Sequence, residues 1–288
     1  MVTPSEPRAR HVQASVVREI ERALARLGDA GDRPAHGNPE IEVVHEVRKH
    51  FKNVRAGLRL LRKALGEAAY QRENRCFRDV ARSLAVARDA HALVQTLEKV
   101  APDSPELRDG VLANAEQAQR SLRDSNVFAE VRELGAAALS RLQASDVESA
   151  GCATIDADLR RLYRSGRLAF RRAKKDPSIE NLHELRKRSQ YLRGALELLQ
   201  LKSKAAKRAR RLSRLLGDDH DLAVLNRALS ADGHASSGLD ARERVSKLIE
   251  RRREKLQKRG LVLAHRLYRA TPKHFGRKGA KVVTALGG

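Results

Sequence analysis

The 288-residue sequence has few aromatic residues, no tryptophan and two cysteines. Aromatic residues make up 3% of the chain, so few side chains could stack on the bases of a single-stranded nucleic acid. The two cysteines, Cys76 and Cys152, cannot form a disulfide framework and fit no metal-site spacing, which indicates a reducing compartment. The composition therefore argues against a base-stacking single-strand binder and against a disulfide-stabilised secreted protein.

Long apolar segments are also missing. No run approaches the roughly 20 apolar residues that a membrane-spanning helix needs. The N-terminus, with Pro4, Ser5, Glu6 and Pro7, lacks the apolar centre of a signal peptide. We therefore expect a soluble, cytoplasmic protein with no membrane partner, long enough for one large or two medium domains.

Acidic residues are outnumbered by basic ones. The chain has 59 Lys and Arg against 36 Asp and Glu, a formal net charge of +23 and a pI near 10.8. Such an excess predicts a polyanionic partner, namely nucleic acid, an anionic membrane surface or an inorganic polyanion. The sequence shows no Gly-rich phosphate loop and no paired catalytic carboxylates. We expect binding rather than enzymatic turnover, with no cofactor and no metal.

One helical segment occurs twice without a gap, at residues 38–62 and 176–200. Each copy begins with a good N-cap, Asn38 or Asp176, followed by proline at the first helical position. The copies share the pattern His-x-x-Arg-Lys-x-x-x-x-x-Arg and several leucines. A gap-free match that includes cap, proline, histidine and leucines indicates an internal duplication.

An apolar seam, spaced alternately by three and four residues, runs along each copy. At about 100° per residue, the cations fall on one arc beside that seam. The arc comprises His45, Arg48, Lys49, Lys52, Arg55 and Arg59 in the first copy and His183, Arg186, Lys187 and Arg193 in the second. A solvated basic face is an adequate explanation for one such stripe. Its repetition favours contact with an anion.

The rest of the chain also has helical texture, rich in Ala, Leu, Arg and Glu without strand-like alternation, which predicts an all-α fold. We expect a first helical half over 8–145, a second over 154–270, and a flexible basic tail over 271–288. Further helices are predicted at about 9–27, 68–100, 105–123, 127–143, 155–175, 202–216 and 239–269, with another helical segment from residue 221 to about 229.

The helix after each copy matches its counterpart too. Arg75, Arg78, Arg82, Arg88 and Asp89 align with Lys207, Arg210, Arg214, His220 and Asp221. If a pseudo-twofold axis relates the halves, four cationic stripes could line one groove or channel. We expect Asp89 and Asp221 to hold neighbouring arginines in place. Asp218, Asp219 and Asp221 could be imagined as metal ligands, but a bend with helix caps explains them more simply.

The duplicated pattern, followed by a Leu-rich basic helix ending in Arg-Asp or its equivalent, resembles the CHAD domain, the conserved histidine α-helical domain, over about residues 8–269. The resemblance implies two pseudo-twofold-related helical-bundle halves around a basic cavity. It also implies non-catalytic binding of inorganic polyphosphate there and, in some members, localisation to polyphosphate granules. The implied binding residues are His45, Arg48, Lys49, Lys52, Arg55, Arg78, Arg82, Arg88, His183, Arg186, Lys187, Arg193, Lys207, Arg210, Arg214 and His220.

The chemistry of polyphosphate agrees with this resemblance. Its chain offers charged oxygens and no base to read, so a binder needs many Arg and Lys. Histidine adds a donor that is fully charged only below about pH 6.5. Gln190, Glu197 and Ser189, and His220 in place of Arg88, depart from the first half. These departures predict a weaker second half or a lopsided path for the ligand.

Two alternative functions remain, nucleic-acid binding and a granule scaffold, while a third, a hydrolase, fails on its motif. Nonspecific nucleic-acid binding needs only charge and would be sensitive to salt, and the absence of recognition motifs counts against specific readout. A triphosphate-tunnel hydrolase, fused to some relatives, carries Glu-x-Glu-x-Lys, but here Glu40 and Glu42 precede Val44 on a helix. A scaffold that coats granules and recruits partners is compatible with polyphosphate binding. For His45 and His183 the alternative is a packing or helix-start role.

Overall fold

The computed structural model describes residues 8–28, 39–147, 151–201, 203–231 and 239–275, and the elements within these ranges are helices, as predicted. None of them is both long and apolar enough to cross a bilayer. The predicted cap Asn38 and the tail beyond residue 275 lie outside the described residues. The helices are α1 (Arg8–Gly28), α2 (Pro39–Leu60), α3 (Arg62–Leu65), α4 (Glu67–Ser83), α5 (Ala85–Val100), α6 (Pro105–Arg123), α7 (Val127–Gln143), α8 (Gly151–Lys175), α9 (Ile179–Leu198), α10 (Lys204–Ala231) and α11 (Leu239–Tyr268).

Two hydrophobic cores hold these helices together. The larger core is built mainly from α1, α2, α4, α7, α8 and α9, with the first part of α10 and the last part of α11. The smaller core combines α5 and α6 with the remaining parts of α10 and α11. Each core therefore draws on both the early and the late part of the sequence.

The helix that follows the first copy is broken. The sequence predicts one helix over 68–100, but Leu84 (φ −82°, ψ 1°) separates α4 from α5. Leu84 is fully buried in the larger core, whereas Val94 and Leu97 belong to the smaller one. The break thus lies where the chain passes from one core to the other.

The counterpart in the second half, α10, is continuous. The bend predicted at residues 218–221 is wrong, because these residues lie inside the helix. Leu212 and Leu216 in the larger core and Leu222 and Leu225 in the smaller one extend a buried face across the whole segment. This packing outweighs the low helix propensity of Gly217 and its aspartate neighbours.

Asp219 shows why an acidic residue is tolerated at that point. Its side chain is buried, and Oδ1 accepts hydrogen bonds from Arg253 Nε at 3.1 Å and Gln257 Nε2 at 2.9 Å, both on α11. The carboxylate therefore joins α10 to α11. In the described part of the chain, no three His, Cys, Asp or Glu side chains are grouped to hold a metal ion.

The two copies of the duplicated segment form α2 and α9, which pack against each other. Gly194 faces Ala56 so closely that a Cβ placed on Gly194 would lie 2.7 Å from the Cβ of Ala56. These two residues occupy the same position in the two copies, and Gly57 and Ala195 occupy the next one. All four are buried. Each copy thus has one alanine and one glycine at these two positions, and these small residues let the repeated helices approach closely.

Arg59, which the sequence placed on the cationic arc of the first copy, is part of this interface and does not line the cavity described below. It is 8% exposed, and its guanidinium carbon lies 3.6 Å from the ring centre of Tyr191 on α9. The guanidinium also donates a hydrogen bond to the carbonyl oxygen of Arg55. A stacked guanidinium is favourable over an aromatic face, so Arg59 contributes to the contact between the two copies.

The start of α9 differs from the prediction as well. Ser178, not Asp176, is the N-cap, and its hydroxyl accepts a hydrogen bond from the backbone N–H of Asn181 at 3.4 Å. Pro177 precedes the helix, and the Asp176 carboxylate accepts a hydrogen bond from Asn181 Nδ2 at 2.8 Å. Serine is as good an N-cap as aspartate, so α9 starts from Ser178, the residue after the proline, and not from Asp176. In the first copy α2 does begin at Pro39.

Candidate anion-binding cavity

A cavity of about 410 Å³ lies where α2, α5, α9 and α10 meet. Two of these helices belong to each half of the sequence, and one from each half, α5 and α10, contributes residues to both cores. The cavity is lined by His45, Arg48, Lys49, Lys52, Arg88, Asp89, Ala92, Leu93, Thr96, Arg186, Arg193, His220, Asp221 and Val224. Six of these residues are lysines or arginines, so the cavity can accept an anion.

The structure brings half of the sequence-predicted site residues to this cavity. The first half supplies His45, Arg48, Lys49, Lys52 and Arg88, and the second half supplies Arg186, Arg193 and His220. The predicted residues that do not line it are Arg55, Arg78, Arg82, His183, Lys187, Lys207, Arg210 and Arg214. The first half thus provides the larger share of the polar lining.

Several predicted residues outside the cavity are held by other partners. Arg55 Nε donates to Asn74 Oδ1 at 3.3 Å. Lys187 pairs with Glu184 at 3.2 Å, and Arg210 pairs with Glu197 at 3.0 Å. Arg78 pairs with its neighbour Asp79 at 2.8 Å. The three others with cationic side chains lie exposed on α4 and α10, namely Arg82, Lys207 and Arg214.

Arg48 is the most firmly positioned cation of the cavity. Its Nη1 donates to the carbonyl oxygen of Ala81 at 2.7 Å, and its Nη2 lies 3.4 Å from Asp89 Oδ1. The side chain is 16% exposed. Because α4 and α5 hold the guanidinium from two sides, little side-chain entropy remains to be lost when an anion binds.

Lys52 and Arg186 carry charge that the protein only partly compensates. Burial, and then the charges of the nearby Arg48 and Arg186, lower the pKa of Lys52 to about 8. Lys52 keeps access to solvent because it lies in the cavity. The Nε of Arg186 is buried and has no hydrogen-bond partner among the described residues. Like charges in a partly desolvated hollow repel each other, and an anion there would relieve that repulsion.

The surroundings of the two cavity histidines favour their neutral form. Arg88 Nε donates a hydrogen bond to His45 Nδ1 at 3.1 Å, which requires an unprotonated Nδ1. Burial, and then the Arg88 charge, lower the pKa of His45. Burial, followed by Arg186 and His183, lowers the pKa of His220 to about 4. The His183 and His220 rings are 5.1 Å apart, so His183 approaches the cavity without lining it.

Two carboxylates also line the cavity, which the sequence analysis did not assign to the site. Asp89 pairs with Arg48, as predicted for a residue that holds an arginine in place. Burial raises the pKa of Asp221, and the charges of Arg186 and Arg88 oppose that rise. The sequence did carry a signal for these two carboxylates. Each directly follows a predicted site residue, Arg88 or His220, at aligned positions, so both residues of each pair can reach one cavity.

A second hollow of about 380 Å³ adjoins the cavity. It shares His45 and Arg88 with the cavity and adds Ile41, Glu42, His91 and Gln95. Glu42 makes this side less cationic than the cavity itself. The hydrogen-bonded pair of His45 and Arg88 therefore stands between two adjoining spaces, where it can contact a ligand that extends past the cavity.

Both the sequence and the fold resemble known proteins. The family model of the CHAD domain matches residues 18–230, a range that contains every cavity-lining residue. The crystal structure of the CHAD domain from the plant Ricinus communis is similar, with a TM-score of 0.60 and 20% sequence identity. The similarity covers 96% of this chain and 93% of that one. No curated protein matches the sequence.

Proposed function

This chain belongs to the CHAD domain family, and we propose that it binds inorganic polyphosphate, without hydrolysing it, in the cavity between α2, α5, α9 and α10. In this proposal residues 8–145 and 154–270 form two pseudo-twofold-related halves, and the basic cavity is central to them. The observation that carries the proposal is the convergence of six lysines and arginines from four helices on one hollow. The protein would act in the cytoplasm, including at polyphosphate granules.

The cavity chemistry favours a bare phosphate chain. Arginine offers several N–H donors in a fixed plane that matches phosphate oxygens, and lysine supplies a point charge. The four arginines and two lysines of the lining provide both kinds of contact. Apart from two histidines and two aspartates, the rest of the wall consists of the small or aliphatic side chains Ala92, Leu93, Thr96 and Val224, and no Phe, Tyr or Trp ring on which a base could stack lines it. This lining supports polyphosphate over a single-stranded nucleic acid.

We assign direct phosphate contact to the lining cations. Arg48, Lys52 and Arg186 would hold the chain where their charges converge, and Arg88 would hold it where the cavity meets the adjoining hollow. Of the predicted residues outside the lining, the exposed Arg82, Lys207 and Arg214 can reach only a chain that continues beyond the cavity. Binding should raise the melting temperature, because the ligand binds the folded state and relieves repulsion there.

A competition experiment tests this function. Long-chain polyphosphate should bind at about 150 mM salt, where exposed charges more than about 8 Å apart are largely screened. It should displace duplex DNA offered at equal phosphate concentration. Equal competition would favour the nonspecific nucleic-acid alternative. Steady release of orthophosphate from polyphosphate during the experiment would contradict non-catalytic binding.

A further inference from the structure

The cavity accounts for a small part of the protein's positive charge. Six lysines and arginines and two aspartates line it, so it holds four of the 23 net charges. Helix α11 alone carries ten lysines and arginines against four acidic residues, and none of its residues lines the cavity. A polyanion confined to the cavity would leave the excess positive charge of α11 unneutralised.

Part of the outer charge converges on a groove between α10 and α11. This groove, of about 320 Å³, is lined by Arg211, Lys258, Arg259 and Arg266 over the aliphatic Leu215, Val262 and Leu263. No carboxylate is among these residues. In contrast, the cavity has Asp89 and Asp221 among its cations. The groove is therefore the less compensated of the two hollows.

No acidic residue in the described ranges pairs with the arginines of the groove. Lys258 pairs with Glu254 on the same helix at 2.6 Å, where both side chains are mostly exposed. Within the described ranges, Arg211, Arg259 and Arg266 form no ion pair. Guanidinium groups that meet in one concavity without acidic partners repel each other. Several planar donors facing the same space are, however, the arrangement that binds phosphate oxygens.

The groove is separate from the cavity. Arg211 in the groove and His220 in the cavity are nine residues apart on α10. At about 100° and 1.5 Å per residue, they lie on opposite sides of the helix and about 14 Å apart along its axis. Leu215 and Val224 are related in the same way. The groove thus opens on the other side of α10 and cannot be an extension of the cavity.

We propose that the groove between α10 and α11 is a second, outer binding site for inorganic polyphosphate, so that one protein molecule holds phosphate chain at two places. The choice of ligand rests on the proposed function of the cavity. A bare phosphate chain is narrow enough to enter a hollow of this size, whereas a duplex presents its phosphates on a wide cylinder. A protein with two such sites links separate chains, which suits a protein that coats polyphosphate granules.

The experiment uses the full-length protein with the cavity disabled by R48E and R186E. In that background we compare R211E/R259E/R266E with R120E/R132E/R164E, which changes the charge equally at exposed arginines outside both hollows. Binding of long-chain polyphosphate is measured against salt concentration. A plot of log K against log salt falls by about 0.7 per phosphate contact for a single chain. Losing three contacts should therefore make this plot less steep by about 2. The control triple should keep the slope of its parent.

Two results would overturn the outer site. One is equal binding by the groove triple (R211E/R259E/R266E) and the control triple (R120E/R132E/R164E). The other is complete loss of binding in the cavity-disabled protein alone, which would leave the cavity proposal intact. If the cavity proposal failed instead, the cavity-disabled and unmodified proteins would bind equally, and the groove comparison would still be decisive. If the glutamate triple does not fold, as judged by circular dichroism, R211Q/R259Q/R266Q replaces it.

The ligand assignment has its own comparison. With the cavity disabled, polyphosphate should outcompete duplex DNA for the groove at equal phosphate concentration, and equal competition would overturn the assignment to polyphosphate. Light scattering provides a second readout on the otherwise unmodified protein. Long chains should bridge protein molecules and raise the scattering, and the groove triple should remove that rise. Unchanged scattering would contradict a second site.

Discussion

The two copies of the duplicated helix carry similar cations but use them differently. Helix α2 brings four residues of its arc to the cavity, whereas α9 brings Arg186 and Arg193. Lys187, the counterpart of Lys49, does not line the cavity, although each lysine pairs with the glutamate three residues before it. Glu197, the counterpart of Arg59, lies 3.6 Å from Arg193 and 3.0 Å from Arg210. A repeated cation is therefore not a repeated cavity residue, because the packing of its helix decides whether its side chain reaches the cavity.

The helices that follow the copies differ as well. The first half reaches the smaller core through the break at Leu84, while α10 passes through both cores without interruption. The aligned residues Arg88 and His220 nevertheless both line the cavity. The helix after each copy thus still lines the cavity, although one of these helices is broken and the other is continuous. The substitutions below examine how unequal these contributions are.

The largest effect is expected when both halves lose their central arginine. R48E/R186E should weaken polyphosphate binding by a hundredfold or more, because each hydrogen bond to a charged group contributes about 1.5–3 kcal/mol. The control R120E/R132E changes the charge equally at exposed positions and should lose far less. Fluorescence anisotropy with a labelled short chain measures both. Equal losses would show that overall charge, and not the cavity, binds the ligand.

A charge exchange between aligned positions tests the asymmetry directly. Lys52 lines the cavity, while its counterpart Gln190 does not. K52Q should therefore weaken binding about tenfold, the loss of one charge-assisted contact. Q190K restores the repeat pattern and should change affinity less than twofold. If titration calorimetry shows that Q190K strengthens binding as much as K52Q weakens it, the two halves contribute equally and the asymmetry is wrong.

Lys52 also predicts how binding depends on pH. Its pKa in the empty protein is about 8, and bound phosphate favours the charged amine and raises that pKa. Below pH 8 the charge is present in both states, so affinity changes little. Above pH 8 the empty protein loses the proton first, and affinity should fall five- to tenfold between pH 7 and about pH 9. K52Q should flatten this part of the profile, and an unchanged profile in K52Q would assign the dependence elsewhere.

The smallest effect concerns the two carboxylates of the cavity. Asp221 contributes negative charge beside the proposed phosphate path without an ion pair to an arginine among the described residues, and D221N should tighten binding about two- to fivefold. Asp89 pairs with Arg48, so D89N removes repulsion but also loosens that arginine, and its gain should be smaller. Weaker binding by D221N would mean that Asp221 positions the cavity cations.

The sequence predicts helices well where local chemistry determines their ends. Helices α6 and α7 have the predicted bounds, Pro105–Arg123 and Val127–Gln143. Pro105 favours a helix start, and the Asp124-Ser125-Asn126 turn separates the two helices. The family resemblance, carried by the duplicated pattern, is confirmed by the family match over residues 18–230.

Tertiary packing decides what the sequence does not predict. Leu84 is a good helix former, so the break there depends on the chain passing between two cores. Asp219 is tolerated inside α10 because Arg253 and Gln257 on a distant segment bind it. The arc pattern treats Lys187 and Arg193 alike, and only the packing of α9 against α2 and α10 brings Arg193 to the cavity.

The most direct measurement of the central claim is the reactivity of Lys52. With a pKa of about 8 and access to solvent, its amine should be acetylated faster at pH 8 than that of an ordinary lysine, whose pKa is about 10.4. Saturating polyphosphate should slow acetylation of Lys52 at least about tenfold, since a charged, covered amine is unreactive. Lys99, exposed outside the cavity and the groove, should keep its rate in mass spectrometry. Equal acetylation of Lys52 with and without bound polyphosphate would contradict binding in the cavity.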